Sequence, residues 1–128
     1  MGYLLDTHAF LWFVAGDTQL PNSVKEIIED YNKPCYISIA SFWEIAIKLQ
    51  IGKLISGLSL IELFRFADRN QIEIIPINEK HLIAQMKLKF EHKDPFDRII
   101  IAQSIAEKLI LISKDDSIKK YKVKMLWK

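Results

Sequence analysis

Asp94-Pro95-Phe96-Asp97-Arg98-Ile99-Ile100-Ile101-Ala102-Gln103-Ser104-Ile105-Ala106-Glu107-Lys108, followed at once by Leu109-Ile110-Leu111-Ile112, is the stretch whose reading decides the fold. It opens with the chemistry of a helix start: an N-cap acid, proline at the first helical position and an acid in the first turn. Phe96, Ile99, Ile100, Gln103 and Ala106 fall near one face, so residues 94–108 predict a helix with a buried stripe. The β-rich run at 109–112 then predicts a short covered strand.

The same alternation extends outward in both directions. Residues 3–5, 36–39, 73–75 and 122–126 read as further strands, the third ended by Pro76. Residues 8–14, 22–31, 40–50, 59–69 and 79–88 read as helices. Asn22 after Pro21 is a candidate N-cap, and Gly52 a candidate stop for the apolar helix over 40–50. Strands separated by helices need crossovers. The expected architecture is therefore a three-layer α/β/α sandwich with a mainly parallel sheet, one domain over residues 1–128.

Composition narrows the function classes. Half of the 128 residues are hydrophobic and 14 are aromatic, enough for one core without staples. Cys35 is the sole cysteine, so no internal disulfide forms and no zinc spacing exists. No basic run precedes a long apolar segment, and no uncharged stretch reaches the ~20 residues of a membrane span. The chain reads as soluble and cytoplasmic. Its net charge is only +2, but residues 108–128 hold seven lysines against Asp115 and Asp116, a local balance of +5. A basic tail suits a phosphate-rich partner, and equally a solvated lysine face.

Most of the sixteen acids, among them Asp17, Glu26, Glu62, Glu91 and Glu107, sit where a solvated helix face places them. Four do not. Asp6 ends a strand expected to be central, where it caps the next helix or faces a binding crevice. Glu44 lies in the apolar run Ser41-Phe42-Trp43-Glu44-Ile45, explained either by a capping box from Ser41, by an i,i+4 pair with Lys48, or by function. Asp97 faces inward along an apolar helix beside Ile100 and Ile101. Of Asp115 and Asp116, one is a cap for residues 117–121 and the other is left at a strand's carboxyl end.

In a parallel sheet those strand ends and helix starts share one rim. Acids gathered there repel unless protonated or neutralised, and oxygen-only ligands favour Mg²⁺ or Mn²⁺ over zinc. Such an ion suits phosphodiester hydrolysis, providing a nucleophilic water without a histidine base.

Leu4-Leu5-Asp6-Thr7-His8 with Phe10-Leu11-Trp12, then Ser41-Phe42-Trp43-Glu44-Ile45 with Gly52-Lys53-Leu54, then His92-Lys93-Asp94-Pro95-Phe96-Asp97-Arg98 with Ile101-Ala102-Gln103, and finally Ser113-Lys114-Asp115 occur in that order. Together they resemble the PIN-domain ribonucleases, particularly the VapC-type toxins of prokaryotic toxin–antitoxin pairs. The last block more often begins with threonine in that family, and Ser113 keeps the hydroxyl. The resemblance implies an endoribonuclease dependent on Mg²⁺ or Mn²⁺, with Asp6, Glu44, Asp97 and Asp115 as catalytic, metal-binding acids. It implies Asp94 as an additional metal acid, and Thr7, Ser113 and Asp116 in support. Arg98 is expected to meet phosphate or an antitoxin carboxylate. It further implies a homodimer, an RNA substrate and a cognate antitoxin.

His8, His81 and His92 are too scattered for a metal trio. Trp12, Phe13, Phe42 and Trp43 read as core or dimer-face residues rather than stacking platforms, and residues 55–66 as core or as a groove for an antitoxin helix. A catalytically silent module binding RNA or protein on the same fold is the alternative. A phosphoacceptor domain of receiver type fits poorly, because Asp6 is followed by Thr7 and His8 rather than a second acid.

Overall fold

In the computed structural model, residues 1–54, 56–90 and 94–128 are described. Ile55 and Glu91, His92 and Lys93, on which several of the expectations above fall, lie outside them.

Five strands form the sheet: β1 (Tyr3–Leu5), β2 (Cys35–Ser38), β3 (Ile72–Ile75), β4 (Ile110–Ile112) and β5 (Met125–Leu126). Their order is β3-β2-β1-β4-β5, and every neighbouring pair is parallel. The helices are α1 (Thr7–Ala15), α2 (Asn22–Glu29), α3 (Ile39–Gln50), α4 (Leu60–Arg69), α5 (Glu79–Met86) and α6 (Pro95–Ala106), with a short 3-10 helix at Asp116–Lys120.

Strand periodicity builds two cores. Register aligns Leu5 with Ile37 and Ile112, and the row faces one side; Leu4, aligned with Tyr36 and Leu111, faces the other. The first row packs under Ala9 and Phe10 of α1, Val24 and Ile28 of α2, Phe42 and Ile45 of α3, and Leu63 and Ala67 of α4. The second packs under Ile99, Ile100 and Ile101 of α6, with Ile118 and Tyr121 closing its end. The expected α/β/α sandwich is what forms. Among the described residues no helix is long and apolar enough to cross a membrane.

Differences from the expected elements have local causes. Pro21, not Asn22, is the N-cap of α2, and it offers no side-chain bond. The strand β2 stops at Ser38, whose hydroxyl accepts from Ala40 N–H and starts α3 one residue early. Ser41 is thereby inside the helix, and the capping box with Glu44 does not form. α4 shows that motif instead, between Ser59 and Glu62. Gly52, at φ +74°, follows the C-cap Ile51 of α3 in the left-handed conformation that favours glycine. β5 is two residues rather than five, because only Leu111 and Ile112 of the short β4 remain for it to pair with.

The topology marks where a ligand crevice forms. After β1 the chain steps outward through β2 to β3, then returns to β4 on the opposite side of β1. The switch point therefore lies at the carboxyl ends of β1 and β4, where open α/β sheets bind ligands.

Candidate active site at the β1–β4 switch point

Asp6 is the residue immediately after β1. Its backbone N–H donates to Ile112 O at 3.0 Å, which joins the two strand ends. Its carboxylate Oδ1 accepts from Ala9 N at 2.8 Å, so it caps α1 as one of the two sequence readings required. The Ser113 hydroxyl also hydrogen-bonds this carboxylate. Burial pushes the Asp6 carboxyl above the usual carboxylate range; the bonds from Ser113 and Ala9 and the nearby His8 oppose this, and the charge of Asp97 adds to it. Asp6 and Asp97, separated by 91 positions in the sequence, thus feel each other across the rim.

Glu44 reaches the same corner through Thr7. Thr7 Oγ1 stands 2.8 Å from Glu44 Oε1 and 2.9 Å from Ser41 Oγ, all three residues being buried. The other oxygen, Oε2, is 3.1 Å from Lys48 Nζ, the i,i+4 pair expected of this spacing. Glu44 is therefore held by a hydroxyl from the β1 end and an ammonium from its own helix.

Ser113, buried after β4, accepts from the Asp115 N–H at 3.1 Å, which links the last acid to Asp6 through one serine. Asp115, not Asp116, caps the 3-10 helix: its Oδ1 lies 2.9 Å from Ser117 N and 2.6 Å from Ser117 Oγ. Asp116 is exposed and pairs with Lys119 at 3.0 Å. Asp94 is the exposed N-cap of α6, accepting from Phe96 N at 2.9 Å and Asp97 N at 3.3 Å, and so it orients the turn carrying Asp97.

Arg98 needs a correction. It was expected to reach phosphate or a partner's carboxylate, but it is 4% exposed and turned inward. Its guanidinium donates to Gln85 Oε1 at 3.0 Å and to the carbonyls of Lys89 at 2.9 Å, Gln85 at 3.1 Å and Leu88 at 3.3 Å. It also lies 4.8 Å from the Phe90 ring centre. A rigid fork of five donors suits the loose carbonyls at a helix end, and here it clamps the end of α5 to α6.

Two groupings escaped the sequence reading. His81, buried, accepts from Asn78 N at its Nδ1 (3.1 Å) and meets Glu107 at Nε2 (2.7 Å). Glu107 was assigned to a solvated face; the α5 neighbour that pairs with it comes from 26 residues away. Beside the acids, His8 stacks on Trp12 (5.6 Å), Trp12 meets Trp127 (5.7 Å) and Lys114 Nζ lies 5.7 Å from the Trp12 ring centre. The lysine-rich tail was the available signal, but only the β1–β4–β5 order brings Trp127 to Trp12.

The donor set at the rim consists of carboxylate and hydroxyl oxygens, the chemistry of a hard divalent ion. An elevated carboxyl beside a second acid fits it too, since such an ion favours ionising both. Among the described residues, however, no three His, Cys, Asp or Glu side chains gather into a ready-made metal cage. Glu44 and Asp115 are turned toward Lys48 and Ser117 respectively.

Residues 3–124 match the family model of the PIN domain, and the chain belongs to that family. No curated protein sequence matches it. Among solved structures it is similar to VapBC2 from Rickettsia felis bound to a DNA fragment from their promoter (TM-score 0.74, 17% identity, 98% of each chain covered). It is similar also to VapBC-1 from nontypeable Haemophilus influenzae (0.73, 15%, 98% of this chain and 97% of that one). A toxin–antitoxin complex from Klebsiella pneumoniae matches at 0.66, with 20% identity over 98% and 96%. At these identities the likeness is one of fold.

Proposed function

We propose that this chain is a metal-dependent endoribonuclease, the toxin component of a toxin–antitoxin pair. The observation that carries the reading is Asp6: an acid at the switch point of a PIN fold, its carboxyl raised by burial and by Asp97, with Ser113 and Thr7 tying it to the two remaining acids. Asp6, Asp97, Glu44 and Asp115 would hold Mg²⁺ or Mn²⁺, Asp94 and Asp116 lying at the exposed edge. When bound, the ion lowers the pKa of a coordinated water and stabilises charge on the transferring phosphoryl group. The chain's own residues do the rest. Ser113 and the α1 start fix the Asp6 carboxylate; Thr7 orients Glu44; Asp94 sets the turn that presents Asp97. For Glu44 and Asp115 to join a shared ion, they would exchange the bonds to Lys48 and Ser117.

The toxin role and an antitoxin partner are supported by the company of the fold, since the similar structures are of VapBC and toxin–antitoxin complexes. Homodimerisation is supported by a row of exposed apolar side chains on α3 and α5: Ile39, Trp43, Leu82, Ile83 and Met86. On α4, Leu63 and Ala67 are spent on the core and only Ile61 of its apolar residues is exposed, which favours core packing over an antitoxin groove there. We read residues 1–128 as one domain working in the cytoplasm. The Cys35 thiol is buried and pushed up to about 11, hence unreactive.

The test is incubation of the purified protein with total RNA in Mg²⁺, in Mn²⁺ and with chelator. Discrete metal-dependent products, absent with Asp6→Asn, support the reading. The Lys48–Glu44 pair and the capping role of Asp115 favour a second reading, a silent module that holds RNA or protein. Cleavage-free binding unchanged by Asp6→Asn would establish it instead.

A further inference from the structure

A cleft of about 630 Å³ opens beside the acids, lined by Ser113, Lys114, Lys119, Leu126, Trp127 and Lys128 among others. Ser113 belongs to both places: its side chain interacts with the Asp6 carboxylate, and it also lines the cleft. Trp127 forms one wall. It is half-buried, packs on the first core and tilts 59° against Trp12, so its ring is fixed before any ligand arrives. Three lysines with exposed side chains, Lys114, Lys119 and Lys128, line the same cleft. Asp116 is the acid on this surface, and Lys119 neutralises it at 3.0 Å through an exposed pair that costs little to open. The wall at 125–128 lies past residues 3–124, the segment that matches the PIN family, so membership says nothing about it.

We propose that this cleft binds single-stranded RNA leading to the Asp6 carboxylate, with a base laid against Trp127 and the flanking phosphates met by Lys114 and Lys128. The identity of the strand rests on the ribonuclease reading. The chemistry is that of single-strand binders generally: a cationic groove for the backbone and an aromatic face for bases of any kind. An acidic peptide would satisfy the lysines but leave the aromatic wall without a flat partner. The peptide also lacks the phosphodiester that, on the ribonuclease reading, the adjoining acids would cut. RNA uses all three features.

The experiment measures binding apart from cleavage. A short fluorescein-labelled oligouridylate is titrated with the full chain in EDTA at low salt, followed by anisotropy. Replacing Lys114→Gln and Lys128→Gln together is expected to weaken binding by about tenfold or more and to reduce the salt slope by about 1.4, the loss of two phosphate contacts. Lys33→Gln, remote and exposed, leaves both unchanged. Trp127→Phe keeps an aromatic in the core and is expected to lose most of the oligouridylate-induced tryptophan quenching. Unaltered affinity and quenching in these variants overturn the proposal, as does a wild type that binds an acidic peptide but not the oligouridylate. The two readings fail separately. Metal-dependent cleavage indifferent to the lysine pair removes the cleft and leaves the nuclease; cleft binding without cleavage of any RNA removes the nuclease and leaves the cleft.

Discussion

Thr7 Oγ1 lies 2.8 Å from Glu44 Oε1, a contact across 37 positions that fastens the end of the central strand to the helix carrying the second acid. Glu44 is 8% exposed, and a carboxylate that deep needs its partners. Thr7→Val keeps the shape and removes the hydroxyl. It is expected to cost about 1–3 kcal/mol, the penalty of a buried acceptor left short, read from the urea midpoint. Thr7→Ser, which restores the donor, recovers most of it. A valine variant as stable as the parent would show that Lys48 alone satisfies Glu44.

Asp6 separates stability from activity. Its charged form is disfavoured by burial and by Asp97, so its folded-state carboxyl sits above the unfolded value. A raised acid gains stability as pH falls and gives it up as pH rises past the unfolded value, near 3.9. Asp6→Asn removes the charge and keeps the cap on α1. The metal-free variant is expected to be at least as stable as the parent at neutral pH, and to lose RNA cleavage. On the proposed reading, millimolar Mg²⁺ is expected to raise the melting temperature of the parent and to leave that of the variant unchanged. Asp6→Ala, without a cap, is expected to be less stable by about 1 kcal/mol.

How far the sequence could be read follows from the range of the forces involved. Helix starts at Asp94 and Ser59 were legible, since a cap is settled by residues three positions apart. So was the Glu44–Lys48 pair, at helical spacing. Asp115 against Asp116 was not, because either places a carboxylate before Ser117 and only backbone angles choose between them. Arg98 was misread for a related reason: the local motif suggests a charge at the rim, while the carbonyls that draw it inward arrive from the end of α5. Trp12 and Trp127 lie 115 positions apart, and nothing short of the strand order brings them together.

Arg98→Met tests the clamp. The substitution keeps an apolar stem in place and removes the guanidinium from three carbonyls: Lys89 O keeps the Tyr121 hydroxyl and Gln85 O keeps Leu88 N–H, while Leu88 O loses its donor. A loss of about 1–3 kcal/mol is expected, the penalty of one buried carbonyl left without a donor and of the charge-assisted bonds removed from the others. Arg98→Lys rescues little, because one ammonium cannot span three directions. Under conditions where both proteins are folded, RNA cleavage by Arg98→Met should stay close to the parent's. A variant that is stable yet loses cleavage would return Arg98 to the phosphate role.

Glu107 provides a pH test away from the acids of the rim. Its carboxyl is held below the ordinary range first by the hydrogen bond from His81, at 2.7 Å, and then by Lys80, at 3.2 Å; partial burial works against both. For an acid lowered in the folded state, the stabilisation is complete above the unfolded value, near 4.5, and is lost as pH falls through the folded one. His81 Nδ1 already accepts from Asn78 N–H, so Nε2 carries a proton and donates it in a hydrogen bond to the Glu107 carboxylate. Glu107→Gln retains an oxygen to accept that proton and discards the charge. At pH 7 it is expected to be less stable than the parent, by on the order of 1 kcal/mol. Below about pH 4.5 the two denaturation curves should draw together, because the parent's carboxylate is itself becoming neutral. A gap that stays constant from pH 7 to pH 3 would mean that the charge on Glu107 contributes nothing and that packing alone holds α5 to the end of α6.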